Sequence, residues 1–172
     1  ATCALLYPDP AHRNLCASAV TNSLMKTMRV EAGVPANVFM YGMISDAAGH
    51  FPRGQASLSA GVSTGPAGPD PWGWDNDGTY ADWYAGHEIG HTLGRDHPYK
   101  GSQLDSGVCS QGSDDGALDM SYPYQDGRLA SIPSTMWGFD VGDEFYDIPV
   151  RLYPGSLWFD VMTYCGYIWL SD

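Results

Sequence analysis

His87-Glu88-Ile89-Gly90-His91-Thr92-Leu93-Gly94-Arg95-Asp96-His97 is the stretch that decides how the chain is read. It spells H-E-x-x-H-x-x-G-x-x-H without a departure. If its first part is helical, His87 and His91 stand four residues apart on one face, where two imidazoles can bind one zinc ion. Glu88 points away from that face, yet it can reach a water held by the metal and act as general base, then as proton donor. Gly94 is suited to a helix end with positive φ, which brings the chain round sharply. That turn returns His97 to the same ion. Three neutral imidazoles leave the fourth position of a tetrahedral zinc open, the geometry of a catalytic site. Five fixed residues at this spacing would arise by chance in roughly one chain of this length in 10⁵.

The helix itself is supported by its surroundings. Thr79 and Asp82 form a T-x-x-D capping signal. Ala81, Tyr84, Ala85, Ile89 and Leu93 include i, i+4 neighbours suited to a core-facing side. Gly86 and Gly90 lower its intrinsic propensity, so tertiary packing must hold it.

The stretch resembles the zinc motif of the metzincin clan of endopeptidases. That resemblance asks for a methionine-bearing tight turn downstream, and Phe159-Asp160-Val161-Met162-Thr163-Tyr164-Cys165 supplies a candidate. By the same likeness Met162 is a hydrophobic floor beneath the three ligands. Tyr164 sits where the astacin-like and serralysin-like branches carry a tyrosine, which serves at the metal at rest or at the oxyanion during reaction. Pro98, directly after His97, is shared with the serralysin-like branch. The fold that the resemblance implies is α+β: a twisted, mostly parallel sheet with an antiparallel edge strand, an active-site helix, and a loop-rich C-terminal subdomain carrying the Met-turn. One catalytic domain then spans 1–172, with subdomains 1–97 and 98–172. Domains of this clan continue into a C-terminal helix, whereas residues 166–172 allow two turns at most. The expectation is therefore a domain excised from a longer secreted protein.

Outward from the motif, the chain reads as follows. Residues 3–8 are short and apolar, an expected strand. Asp9-Pro10 starts a helix as N-cap and first helical residue. Leu15, Cys16, Ala19, Val20, Leu24 and Met28 follow at helical spacing as an expected core stripe, and Gly33 stops the helix after about five turns. Val38 to Ser45 reads as a buried strand. Gln55 to Val62 alternates apolar and polar with period 2, one half-buried strand; in the clan the strand at this place is the sheet edge on which an extended substrate pairs. Residues 63–79 are loop. Pro98 to Asp160 has weak pattern, and short helices, turns and an insertion are expected there. His12 and His50 read as loop or solvent histidines.

Composition sets the outer limits. The chain has 172 residues, 44% apolar and 16% charged, with a formal net charge of −12. It is long enough for one domain with its own core. An acidic surface repels phosphate backbones, which argues against nucleic acid, and no apolar run reaches the length of a membrane span. Cys3, Cys16, Cys109 and Cys165 form no C-x-x-C and fit two disulfides in an exported protein. Of three possible pairings, Cys3 with Cys16 and Cys109 with Cys165 is preferred. Aspartates 70, 75, 77 and 82, and again 114, 115 and 119, offer oxygen ligands for structural calcium, though solvated turns explain them as well. Arg95, Arg128 and Arg151 are scarce cations, each suited to a structural carboxylate or to a substrate's.

The function expected is a secreted zinc endopeptidase. One catalytic zinc rests on His87, His91 and His97. Glu88 and Tyr164 do the chemistry above Met162. A protein or peptide, glycoproteins included, is the substrate of a monomeric enzyme. The rival expectation is an adhesion module that keeps the frame and binds protein or glycan through exposed aromatics. An intact Glu88 argues for the enzyme, because a binder has no chemical need of a base beside the metal.

Overall fold

The computed structural model describes residues 2–45, 54–68, 80–98, 118–124, 127–131, 133–145 and 147–169. They form a small mixed α/β chain of helices and several small sheets. It divides into two compact units, and in the zinc-motif stretch the first ends at Gly94 and the second resumes at Arg95.

The first unit opens on a helix, α1 (Thr2–Leu6), where a strand was expected over 3–8. The Cys3–Cys16 disulfide ties this turn to the next helix across a Cα–Cα distance of 5.7 Å. The Tyr7 N–H also bonds the Cys3 carbonyl at 3.0 Å, so local closure wins over the extended preference of a short apolar run. Helix α2 (Pro10–Glu31) begins as its sequence predicts. Asp9 is the N-cap and its carboxylate accepts the His12 N–H at 3.1 Å. The helix ends at the Ala32 cap before Gly33.

The buried face of α2 is not the expected one. Leu15, Val20, Leu24 and Met28 are exposed, and the buried positions are Ser18, Asn22 and Met25. The cause lies in what the helix meets. Asn22 Nδ2 donates to the Gln55 carbonyl at 3.0 Å. Arg29 donates to the carbonyls of Pro35, Ala36, Val38 and Gly61. These backbone acceptors need donors, so a polar side of the helix is turned inward and the apolar stripe is left outside.

Three strands form the sheet of this unit: β1 (Met40–Ile44), β2 (Gln55–Ser57) and β3 (Val62–Pro66). Their order is β1-β3-β2, with β1 parallel and β2 antiparallel to the central β3. An antiparallel edge strand is thus present, but one parallel pair replaces the expected mostly parallel sheet. The strand expected over 55–62 is broken. Leu58–Ala60 form a 3₁₀ turn, Gly61 takes φ 57°, and Ser57 comes to lie opposite Val62. Period 2 therefore ran through the end of one strand, a turn and the start of the next. β1 is mostly half-buried rather than buried, with Met43 70% exposed, because it is an edge with one neighbour. β3 runs through 62–66, where loop was expected from 63 onward, and every residue of it is buried. Helix α3 (Ala81–Thr92) packs on β3 and β2, while α2 packs on β3 and β1.

The second unit is built from short strands. β4 (Trp137–Asp140) pairs antiparallel with β5 (Arg151–Pro154), and β6 (Phe159–Asp160) pairs parallel with β7 (Ile168–Trp169). Between 98 and 160 no α-helix occurs among the described residues, and Gly127 alone is in 3₁₀ conformation, where several short helices were expected. Residues 168–169, in the short stretch that allowed two helical turns at most, are a strand. The Phe159 and Val161 N–H groups take the Tyr167 and Trp169 carbonyls at 2.9 and 2.8 Å. Leu129, Ala130, Tyr153, Phe159, Val161, Met162, Cys165 and Ile168 form the core of this unit. Among the described residues, no helix is long and apolar enough to cross a membrane.

Candidate metal centre

Helix α3 carries His87, Glu88 and His91, as the motif predicts. Its N-terminus is less well capped than T-x-x-D implies. Tyr80 is the N-cap and makes no side-chain cap, Asp82 instead accepts the Trp83 N–H at 2.9 Å, and Thr79 lies outside the described residues. Leu93, expected toward the core, is 60% exposed, since it already belongs to the turn that ends the helix. Gly94 follows with φ 87° and donates to the His91 carbonyl at 2.9 Å. Any residue with a Cβ would be strained there. The chain then reverses, and His97 is fixed by its backbone: it bridges to Leu118, and the Asp119 N–H bonds the His97 carbonyl at 3.0 Å.

The result is convergence. One imidazole nitrogen from each of His87, His91 and His97 lies within 4.8 Å of the others. The His87 and His91 rings stand edge to face, 4.8 Å between centroids. Nitrogens bound about 2.0–2.1 Å from a tetrahedral ion are roughly 3.3 Å apart. The widest pair must therefore close by no more than about 1.5 Å, which is within reach of small side-chain rotations. Three imidazoles suit a divalent transition ion and not calcium, which prefers oxygen. No other cluster of three such ligands occurs among the described residues. Of the aspartates weighed for calcium, Asp119 accepts the Ser121 N–H and hydroxyl, which hold its carboxyl below the usual range. Asp82 faces the Trp83 amide; aspartates 70, 75, 77, 114 and 115 lie outside the described residues.

Glu88 is only 6% exposed. Burial away from water pushes its pKa up to about 8. Two neighbours that the sequence did not single out shape its pocket. A Cβ on Gly54 would lie 2.1 Å from Glu88 Oε1 and 2.4 Å from Cγ and Cδ, so no other residue fits there without moving the carboxylate. The only hint in the sequence was a glycine directly before an alternating run. Tyr41 is the second neighbour: its hydroxyl is buried without a hydrogen-bond partner among the described residues. Burial first, then Glu88 and Tyr84, raise its pKa and keep it protonated. β1 was legible as a strand, but not which of its side chains would face α3.

The raised Glu88 pKa has a consequence for the metal-free protein. The native state holds this proton up to about pH 8 while the unfolded chain gives it up near pH 4.5. Stability from this group is full below about pH 4.5 and is lost as pH rises to about 8. Urea unfolding of metal-free protein at a series of pH values is expected to show this decline, and Glu88→Gln to remove it. A divalent ion works the other way, favouring the carboxylate.

The predicted methionine turn is a tight turn. Asp160 accepts the Thr163 N–H on its carbonyl at 2.9 Å and the Met162 N–H on its carboxylate at 2.7 Å. Met162 is completely buried. Tyr164 lies against His97, ring centroids 4.9 Å apart. Arg95 finds the structural carboxylate that its scarcity suggested, pairing with Asp160 at 2.7 Å. Arg128 donates to the Ser156 carbonyl and covers the Phe159 ring, and Arg151 stands opposite Asp140. Cys165 is disulfide-bonded, while its expected partner Cys109 lies outside the described residues, as does His50. His12 is exposed and paired with Asp9 at 2.7 Å. Comparison with protein-family models, curated proteins and solved structures finds no match to this chain.

Proposed function

We propose that this chain is a zinc-dependent endopeptidase. The observation that carries the proposal is the convergence of His87, His91 and His97 around one point, with the buried carboxylate of Glu88 next to the first of them on α3. The donor set fits zinc, whose preferred ligands include neutral imidazole. When bound, zinc supplies Lewis acidity, lowering the pKa of water toward about 7 and polarising a carbonyl.

The chain's own residues do the rest. Glu88 takes the proton of the attacking water and returns it to the leaving nitrogen. Having taken that proton, the Glu88 carboxyl is the donor for the second half of the reaction. Tyr164, beside His97, donates a hydrogen bond to the substrate oxygen as charge gathers on it. Met162, completely buried in the turn that bears Tyr164, would be the apolar floor that the metzincin resemblance implies. The substrate is a protein or peptide, and the setting that suits disulfides is extracellular.

Gly54 gives this reading a local test. Gly54→Ala forces the Glu88 carboxylate off its position, and a displacement of about 1 Å in a catalytic group costs on the order of 10²-fold in rate. Steady-state hydrolysis should fall by about that factor with the metal content unchanged. Wild-type turnover in this variant would mean that Glu88 is not held where the proposal needs it.

One observation favours a second reading, adhesion. Trp137, Phe139, Val141, Val150 and Leu152 are all exposed on or beside the β4–β5 pair. A protein that binds through this face and has no metal-dependent turnover would fit it. Direct measurement of hydrolysis separates the two.

A further inference from the structure

His97 is the ligand that α3 does not carry; its backbone is held by Leu118 and Asp119, and its side of the chain is held further by the methionine turn. Two contacts come from the same turn. Tyr164 lies against the His97 ring, and Asp160 holds Arg95, two residues before His97, at 2.7 Å. The Asp160 side chain is fully buried and that of Arg95 is 30% exposed. The other carboxylate oxygen of Asp160 accepts the Met162 N–H at 2.7 Å. One buried carboxylate therefore closes the methionine turn and grips the segment that bears the third ligand, across 65 residues of sequence. A charge with no access to water is tolerated only with partners of this kind. The turn and the 95–97 segment are thus fixed as one piece.

Resting on the metal reading above, we propose that Arg95 and Asp160 are positioning residues of the metal centre: added to the backbone pairing of His97 with Leu118 and Asp119, their ion pair is a latch that orients His97 toward the ion. Groups that orient a ligand without touching the metal are worth roughly 10–100-fold in affinity. The test is zinc affinity of the full chain, measured by competition with a chromogenic chelator, together with the visible absorption of the cobalt-loaded protein. Arg95→Gln is expected to weaken zinc binding about 10–100-fold and to change the cobalt spectrum. Arg95→Lys, which keeps the charge, should recover most of the affinity. Should Arg95→Gln fail to fold, Asp160→Asn breaks the pair while keeping an acceptor for the Met162 N–H, and the same loss is expected. A merely structural pair would lower the melting temperature and leave affinity and cobalt spectrum as in wild type. That result in both variants overturns the latch alone. Wild-type protein that takes up neither zinc nor cobalt overturns the metal reading and the latch with it.

Discussion

Glu88→Gln is expected to abolish measurable proteolysis while the protein still binds one zinc per chain. The glutamine amide keeps the size of the carboxylate and fills the same pocket beside Gly54. It cannot take a proton from water, nor return one to the leaving nitrogen. General base and acid assistance is worth about 10²–10⁴-fold, and here one side chain supplies both. Glu88 is not among the three converging ligands, so metal content should not follow activity. Activity within threefold of wild type would remove Glu88 from the chemistry.

His97→Ala is the second large effect, and it falls on metal binding. Four-ligand zinc sites gain roughly 10–16 kcal/mol, or about 3 kcal/mol for each protein ligand. Loss of one ligand is therefore worth on the order of a hundredfold in affinity. Because His97 is pinned by its own backbone to residues 118–119, its replacement should leave the surrounding chain in place. Zinc retained after dialysis should drop well below one per chain, and proteolysis with it. Full retention would mean that the ion, if bound, rests on other ligands.

The site was more legible than the fold. Helix α3, the turn at Gly94 and the meeting of three histidines follow from local rules: a four-residue helical spacing and a left-handed glycine. The methionine turn was visible too, because Asp160, Met162 and Thr163 are close in sequence and bond one another. What escaped depends on distant partners. The apolar stripe of α2 promised a buried face, but carbonyls of Gln55 and of the loop after the helix claimed Asn22 and Arg29 instead. The alternating run at 55–62 hid a turn at Gly61, since a 3₁₀ turn can carry the same apolar spacing for a few residues. Gly54 and Asp160 matter through contacts 34 and 65 residues away, to Glu88 and Arg95, and no local pattern marks such a contact.

The most direct test of a zinc endopeptidase is cleavage of denatured casein, with fragments identified by mass spectrometry. Wild type, Glu88→Gln and chelator-treated wild type are compared in one experiment. The account predicts internal cleavage by wild type alone, restored to the chelated sample by added zinc. Cleavage that survives both the chelator and Glu88→Gln, or no cleavage of any protein substrate by zinc-loaded wild type, would contradict it.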